Sequence, residues 1–429
     1  MRPQPRVFYG WIIVLISALG LFLGAPVAVF SFGIFFKPLV EDFHASRAAV
    51  SLVFSIANFV GALSLPLTGI LIDRFSPKRV ILISTVLFGA VLCSALLVGT
   101  GLWQLYVLFS LLGVTMSGGP APVPYTAVIT HWFDRRRGFA LALCMMGIGI
   151  GAIVVPMLSQ RLISAYNWRV ALAIFGAAVL LVPSPAIAIF LKNDPAQLGL
   201  HPDGDILATA PRSHRQNTVG LSWHEIWHSP TYWLLLCIFV LVGVAMHGSV
   251  LHLAAILTDR GITAQRAALA TSVVGAAVLI GRIGSGYLMD FFFAPRVAML
   301  FFGASTLGIA ILCTSADGVL TLPASFLIGL GTGAEVETLG YMISRYFGLR
   351  CFGTAYGIAF GAFMTAGSAG VLLMGAGYDH FHSYTVTLIA LAAAMLAAVL
   401  LLMLLGPYRF APESRADAPH EPLELPHPA

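Results

Sequence analysis

Charged side chains are scarce in this sequence. Asp, Glu, Lys and Arg make up only 10% of its 429 residues, whereas a soluble globular chain carries about 25%. Hydrophobic residues reach 59%, and the mean hydropathy is +0.91. This shortage of charge excludes an ordinary soluble domain and predicts a polytopic protein embedded in a lipid bilayer.

Cysteine is also sparse, and its spacing excludes two common uses. The cysteines are scattered in or beside apolar runs and form no CxxC pair; they are Cys93, Cys144, Cys237, Cys313 and Cys351. We interpret them as free buried thiols rather than a disulfide framework or a metal cluster. No HExxH, P-loop or GxSxG motif stands in a suitable context either. The sequence therefore predicts no metal, no cofactor and no enzymatic centre.

Long apolar runs are abundant. A membrane span needs roughly 20 such residues, and the sequence predicts twelve spans, at about 9–37, 47–72, 80–99, 103–130, 138–160, 169–191, 231–257, 264–289, 297–315, 319–343, 353–377 and 384–405. The first run follows Arg2 and Arg6 but is too long for a signal peptide, so we interpret it as the first span.

The distribution of basic residues predicts the orientation. With the N-terminus inside, most Lys and Arg fall on the inner side, and the outer loops hold mainly Arg47, Arg161, Arg260 and Arg266. Both termini are therefore predicted to be cytoplasmic. The formal net charge of +5 follows from this inner excess, so it does not indicate nucleic-acid binding.

Two features recur along the chain at nearly constant separation. Asp73 and Asp290 end spans two and eight and lie 217 residues apart; Phe133 and Phe347 follow spans four and ten and lie 214 apart. These pairs indicate duplication of a six-span unit, which is typical of secondary transporters. The predicted domains are a six-helix bundle at 1–191, a cytoplasmic linker at 192–230, a second six-helix bundle at 231–405 and a disordered cytoplasmic tail at 406–429.

Several motifs resemble a known family. Gly69, Asp73 and Arg74, with Lys78 and Arg79, resemble the loop 2–3 signature of the major facilitator superfamily, with Ser76 where that signature usually has Gly. The blocks YGWIIV (9–14), FSFGIFFKPL (30–39), GLHPDGD (199–205) and GAEVETLGYMISRYFGLRCFGTAYG (333–357) are similar to bacterial monocarboxylate transporters and oxalate/formate antiporters. The resemblance implies an all-α fold of two six-helix bundles, anion transport by alternating access, and a monomeric functional unit.

Arg282 is an isolated charge inside span eight. It lies eight residues before Asp290, hence roughly 12 Å in from the helix end, and a guanidinium at that depth needs a partner. Arg offers a planar fork that matches a carboxylate, and in the resembling family an Arg on span eight holds the substrate carboxylate. The alternative is a gate salt bridge or a tie to a backbone carbonyl.

Glu335 and Glu337 on span ten lie at a depth similar to that of Arg282. They are two residues apart, so they point about 200° apart around the helix. We predict that one of them, with Glu335 favoured, faces Arg282 and carries the coupling proton, while Glu337 faces another way. A fixed ion pair with Arg282 is the alternative. Animal monocarboxylate transporters instead place an Asp one turn before the span-eight Arg, where this sequence has Val278.

Five further polar residues are candidates for the transport path. Lys37 matches a family lysine that admits the anion, but it is also placed as an interfacial lysine would be. Asn58 and Tyr125 are candidate contacts to a small anion, and Tyr125 follows the helix-breaking segment GGPAPVP. His252 is a candidate for substrate binding and His247 for proton coupling, although membrane histidines more often bond between helices.

The inner loops predict a conformational latch that stabilises the outward-facing state. Its candidate members are charged residues at the inner ends of the spans, namely Asp73, Arg74, Lys78, Arg79, Arg135, Arg136, Arg137 and Asp290. The alternative role for the basic members is simple anchoring under the positive-inside rule.

These features together favour a proton-linked symporter of small monocarboxylates in a bacterial inner membrane. Span eleven carries no Lys or Arg between 353 and 377, whereas the oxalate/formate antiporters place a second cation there, so a single carboxylate is favoured. An organic-anion antiporter or exporter is the main alternative. A membrane enzyme and a non-transporting sensor are the alternatives from other classes.

Overall fold

The structure is a computed structural model that describes residues 8–24, 26–27, 31–204, 220–314 and 320–410. Within these residues the regular structure is helical, apart from one isolated bridge between Gly220 and Gly348. Most of the predicted tail, 411–429, and residues 205–219 of the predicted linker lie outside the described residues. The beginning of the tail packs on the C-terminal half, where the Phe410 N–H donates to the Arg345 carbonyl at 2.9 Å.

In the described part of the chain, nine α-helices form the first half and seven follow the connecting segment. The first nine are α1 (Gly10–Phe22), α2 (Phe32–Asp42), α3 (Arg47–Arg74), α4 (Pro77–Cys93), α5 (Leu102–Gly118), α6 (Pro122–Trp132), α7 (Arg137–Ala165), α8 (Trp168–Leu181) and α9 (Pro183–Phe190). The others are α10 (Trp223–Trp227), α11 (Pro230–Asp259), α12 (Ala264–Met289), α13 (Ala294–Thr314), α14 (Thr321–Phe347), α15 (Phe352–Phe381) and α16 (Thr385–Leu402).

Ten helical segments of the described chain are long and apolar enough to cross a membrane. Two of these crossings consist of two helices each, α5 with α6 and α8 with α9. In both, the second helix begins with a proline. The α1–α2 pair and α14 complete the twelve spans. The first span, predicted at about 9–37, is built from two α-helices: α1 ends at Phe22 and α2 begins at Phe32. Residues 26–27 between them are π-helical, and Pro26 has no backbone N–H to donate.

The helices of each half pack mainly on one another. In the first half α3 packs on α5 and α1 on α7; in the second, α12 packs on α14 and α11 on α15. The predicted domain boundaries remain predictions, but helix ends fall near them, at Phe190, Pro230 and Leu402.

The halves are joined mainly by α3 with α15 and by α7 with α12, and less extensively by α6 and α7 with α14 and by α6 with α15. A Cβ atom on Gly69 would lie 2.1 Å from the carbonyl oxygen of Gly353, and one on Gly138 would lie 2.2 Å from that of Gly286. Only glycine permits such close backbones. These contacts lie at the end of the molecule that we call the basic end, where the loops carry Arg74, Lys78, Arg79, Arg135, Arg136, Arg137, Arg345 and Arg350. The two halves are therefore closed on each other at the basic end.

Candidate substrate site and gate

The centre of the site is set by close packing of α12 on α14. A Cβ atom on Gly281 would lie 2.1 Å from the carbonyl oxygen of Leu330, and one on Gly333 would lie 2.2 Å from that of Val278. Side chains at these positions would force the two helices apart. The glycines therefore bring Arg282 of α12 beside the acidic residues of α14.

Arg282 forms an ion pair with Glu337 inside the protein. Its Nε lies 2.6 Å from Glu337 Oε1, and the two side chains are 9% and 0% exposed. The direction of this contact is not that of an aligned hydrogen bond, so the attraction is chiefly between charges. The structure thus reverses the sequence-based assignment, since Glu337 rather than Glu335 is the acid in contact with Arg282.

The Arg282 guanidinium also reaches the other half of the molecule. Its Nη1 donates a hydrogen bond of 3.0 Å to the Met145 carbonyl oxygen on α7. One side chain thereby links α12, α14 and α7, which belong to both halves. Removing either charge of such a buried pair leaves the other uncompensated and costs about 3–5 kcal/mol.

Glu335 is a second buried acid close to this pair. It is 7% exposed, and its Oε2 is fully shielded with no hydrogen-bond partner among the described residues. The charges that act on it are those of Arg282 and Glu337. Two carboxyl groups therefore share the field of one guanidinium, and full ionisation of both would leave a net negative charge in a shielded place.

Buried hydroxyl groups lie on α6 of the first half and on α15 of the second. Tyr125 is fully buried, and a Cβ atom on Gly20 would lie 1.9 Å from its hydroxyl oxygen, so α6 packs on α1 through this ring. Tyr356 of α15 lies near Glu337, and its side chain contacts that of Thr126 of α6. Tyr356 and Thr126 were missed in the sequence, where a Tyr or Thr inside an apolar helix gives no sign of its neighbours.

The other polar candidates make contacts within their own helices. The Asn58 amide nitrogen donates to the Phe54 carbonyl at 2.9 Å. A ring nitrogen of His247 lies 3.2 Å from the Gly243 carbonyl oxygen, and one of His252 lies 3.2 Å from that of Gly248. The His247 ring packs on Phe363 and the His252 ring on Tyr384. The structure therefore does not bring these three residues into contact with Arg282.

Lys37 lies on α2 with its side chain 84% exposed. Its ammonium nitrogen is 3.8 Å from Glu41 Oε1, one turn further along the helix. Such exposed pairs contribute little to stability. An ammonium group this exposed can attract an anion over a distance, but it does not form a buried binding contact.

Replacing Lys37 with alanine should raise KM for an external anion by roughly two- to threefold at low ionic strength and leave Vmax unchanged, because an exposed charge acts over distance and is screened by salt. Initial uptake rates in low and high salt would measure this. Glu41→Gln is the matched control and should lower KM under the same conditions. A KM that does not change with Lys37→Ala would make Lys37 an interfacial anchor only.

Asp73 joins α3 to the beginning of α15. Its Oδ1 accepts a hydrogen bond from the Gly353 N–H at 2.8 Å, and its Oδ2 accepts one from the Thr354 N–H at 2.7 Å. The first N–H groups of a helix have no partner within that helix and favour an anion. Asp73 therefore caps a helix of the opposite half.

Asp290 makes the equivalent contact on the other side of the interface. Its Oδ1 accepts from the Gly138 N–H at 2.6 Å and its Oδ2 from the Phe139 N–H at 2.9 Å, at the beginning of α7. Burial raises the pKa of Asp290 to about 7, and these two backbone hydrogen bonds act in the opposite direction. Asp290 therefore caps a helix of the opposite half, as Asp73 does.

A third contact joins the loops at the basic end. Arg345 at the end of α14 donates through Nη1 to Asp134 Oδ1 at 2.6 Å and also contacts the Asp134 carbonyl oxygen. Arg137 donates to Ser344 Oγ at 2.9 Å and forms an ion pair with Asp134 at 3.2 Å. Asp134 and Arg345 were not among the predicted latch residues, although both lie in the repeated blocks HWFDRRRGFA and RYFGLRCFGTA.

Four other predicted latch residues do not cross the interface in the side-chain contacts that the structure shows: Arg74, Lys78, Arg79 and Arg136. The Lys78 ammonium donates to the Ala188 carbonyl at 2.6 Å, within the first half. Arg74 lies over the ring of its own neighbour. Arg79 and Arg136 are exposed, and each engages a side-chain oxygen through its backbone N–H.

Comparison with known proteins decides the family. A family model described as Major Facilitator Superfamily matches residues 10–360 and 246–426. The chain belongs to this superfamily. It is accordingly a multi-pass membrane transporter and not an enzyme, and its fold is the major facilitator fold of twelve transmembrane helices in two six-helix bundles, as predicted.

The curated relatives and solved structures agree with this placement. The chain is 26% identical to monocarboxylate transporter 13 of Rattus norvegicus over 403 residues, which cover 91% of this chain and 87% of the relative. Human monocarboxylate transporter 6 is 33% identical over 181 residues, covering 40% of this chain and 34% of the relative. A major facilitator proton:xylose symporter structure superposes with a TM-score of 0.74 at 16% identity, covering 93% of this chain and 96% of that one.

Proposed function

We propose that this major facilitator transporter carries small monocarboxylates, such as lactate or pyruvate, together with a proton by alternating access. The observation that carries the proposal is the buried pair of Arg282 and Glu337, which is also bonded to Met145 of the other half. A guanidinium fork in a shielded site recognises a carboxylate well. The similarity to monocarboxylate transporters supports the same class of substrate.

The pair offers a simple exchange of partners. In the empty transporter Glu337 neutralises Arg282. A substrate carboxylate that binds the guanidinium would leave Glu337 as an unpaired buried anion, which is costly. A proton that arrives with the substrate and binds Glu337 removes that charge. Both the empty and the loaded site are then electrically balanced, which is what allows the two halves to move past each other.

The same exchange can be linked to the gate, by which we mean the contacts of Asp73, Asp290 and Arg345 that close the basic end. Arg282 holds the Met145 carbonyl of α7 in the closed arrangement, and α7 begins at the backbone groups that Asp290 caps. A substrate that draws the guanidinium away from Met145 weakens the contact between α7 and α12. Binding of the anion and loosening of the interface would thus be coupled through one side chain.

We further propose that the protein lies in a bacterial inner membrane with both termini and the basic end in the cytoplasm, and that it functions as a monomer. The excess of Lys and Arg at the basic end supports this orientation. In that orientation the structure is closed on its cytoplasmic side. The proton is the coupling ion, and the mechanism requires no cofactor.

Uptake by proteoliposomes tests the proposal. Purified protein should accumulate labelled lactate or pyruvate when the outside is acidic, and an imposed membrane potential should have little effect, because one proton and one monoanion carry no net charge. Internal substrate should not be required. If uptake needs an internal counter-anion at every pH, the protein is an exchanger; if it follows potential and ignores pH, proton symport is rejected.

A further inference from the structure

The segment that connects the two halves carries an aspartate in an unusual conformation. Residues 202–204 form a short helical turn in which Asp203 has φ 59° and ψ 2°. This left-handed region is uncommon for residues other than glycine and is kept only where the surroundings hold it. Asp203 belongs to the GLHPDGD block, whose role is not accounted for by the substrate site.

The Asp203 carboxylate is bound to the loop between α6 and α7. Its Oδ2 accepts hydrogen bonds from the N–H groups of Asp134 at 3.0 Å and Arg135 at 2.8 Å, and its Oδ1 accepts one from Arg136 at 3.3 Å. Three successive N–H groups just before α7 thus converge on one carboxylate. A carboxylate in this place is favoured by hydrogen bonding and by the dipole of the helix.

The backbone that Asp203 holds is the one that presents Asp134 to the opposite half. Asp134 receives Arg345 through its side chain and its carbonyl oxygen, and it also pairs with Arg137. The orientation of this side chain depends on the backbone of residues 134–136, whose three N–H groups donate to Asp203. A chain of contacts therefore runs from the connecting segment, through the loop, to the ion pair that joins the halves.

We propose that Asp203 is a positioning residue for the gate: it fixes the backbone of residues 134–136, directs Asp134 at Arg345, and so stabilises closure of the basic end. The connecting segment then acts in the transport cycle and is more than a tether between the halves. This inference rests on the proposed alternating access but not on the identity of the substrate.

The native Cys144 can report opening of the basic end. It is fully buried and lies close to Arg282 and Glu337. In a variant in which the other cysteines are replaced by alanine, its rate of alkylation by a membrane-impermeant maleimide is measured per folded molecule, with the reagent on the side of the basic end and no substrate present. The same rate with the reagent on the opposite side is the control.

Asp203→Gly removes the carboxylate but suits a positive φ, so the turn itself is not strained. We expect it to raise alkylation of Cys144 from the basic end about tenfold, which corresponds to the net loss of about one charge-assisted hydrogen bond. Asp203→Asn, which tolerates the same backbone and keeps one acceptor oxygen, should give a smaller increase. A role in folding alone would lower the yield of protein and leave the rate per folded molecule unchanged.

A double-mutant cycle tests the route through Asp134. Asp134→Ala should also raise the alkylation rate, and Asp203→Gly should add little in that background, because both changes break the same chain of contacts. The inference is overturned if Asp203→Gly leaves the rate unchanged, if Asp134→Ala leaves it unchanged, or if the two effects multiply. None of these results depends on lactate or pyruvate being the substrate, which uptake tests separately.

Discussion

Replacing Arg282 with lysine should reduce uptake by about ten- to a hundredfold while the protein is still made and folded, since about one charge-assisted hydrogen bond is lost, which contributes about 1.5–3 kcal/mol. Lysine keeps the charge that Glu337 needs. It cannot, however, present two parallel N–H groups to a carboxylate and also bond the Met145 carbonyl. The measurement is the initial rate of labelled lactate uptake at equal amounts of reconstituted protein.

Arg169→Lys provides a matched control for this change. Arg169 also pairs with an acid, Asp42, at 2.6 Å and bonds the Val98 carbonyl, but these contacts lie within the first half and away from Arg282. We expect uptake by Arg169→Lys to remain within about twofold of the native rate, as for a partly exposed pair. Near-normal uptake by Arg282→Lys would contradict a substrate role for Arg282.

A binding measurement separates the two roles of Arg282. If the guanidinium holds the substrate, Arg282→Lys should lose equilibrium binding of lactate as well as uptake. If it serves only as a tie between α12 and α7, binding should persist while uptake is slow. The distinction matters because the structure shows contacts of both kinds, an acid on one side and a carbonyl of the opposite half on the other.

The sequence revealed the centre of the site but not its internal arrangement. An isolated Arg282 in an apolar run and two acids at similar depth on another span suffice to predict that these charges meet. Which acid makes the contact depends on the rotation of α14 about its axis, and this rotation is set by the backbone contacts at Gly281 and Gly333. Those contacts join residues about fifty positions apart, beyond the reach of helical periodicity.

The gate, too, could be predicted from the sequence only in part. The repeat of Asp73 and Asp290 along the chain predicts two equivalent positions, and the structure places both carboxylates on the N-termini of helices in the opposite half. The third contact was hidden, because three consecutive arginines follow Asp134 and composition does not tell which of them turns inward. Burial of Arg137 and the pairing of Asp134 with Arg345 are set by the path of the chain into α7.

The first span illustrates how an apolar run can conceal a change of helix type. Residues 9–37 are continuous in hydropathy, yet α1 ends at Phe22, residues 26–27 are π-helical, and α2 begins at Phe32. The Ser31 N–H donates to the Pro26 carbonyl five residues earlier, as in a π-helix, and the Ser31 hydroxyl donates to the same carbonyl. Pro26 is present in the sequence, but the length of the apolar run favours a single span over 9–37.

Replacing Glu337 with glutamine should abolish accumulation driven by a pH gradient while substrate exchange continues. Glutamine resembles the protonated acid, so the loaded transporter keeps a balanced site and can move its substrate in both directions. The empty transporter, however, would hold Arg282 without its counter-charge, and an uncompensated buried charge costs about 3–5 kcal/mol. Return of the empty form should then limit net uptake, and we expect net uptake to fall by at least about a hundredfold on that basis.

Two assays and one control variant decide this prediction. Net uptake is measured into vesicles without internal substrate under an imposed pH gradient, and exchange is measured into vesicles loaded with unlabelled substrate. Glu335→Gln is the control, because Glu335 is equally buried on the same helix but is not the acid in contact with Arg282; it should retain accumulation driven by the pH gradient. If instead Glu335→Gln abolishes that accumulation and Glu337→Gln preserves it, then Glu335 carries the coupling proton and the pair of Arg282 with Glu337 is a fixed structural bond. Loss of both net uptake and exchange in Glu337→Gln would show that the carboxylate is needed in the loaded state as well, which the exchange of partners described above does not allow.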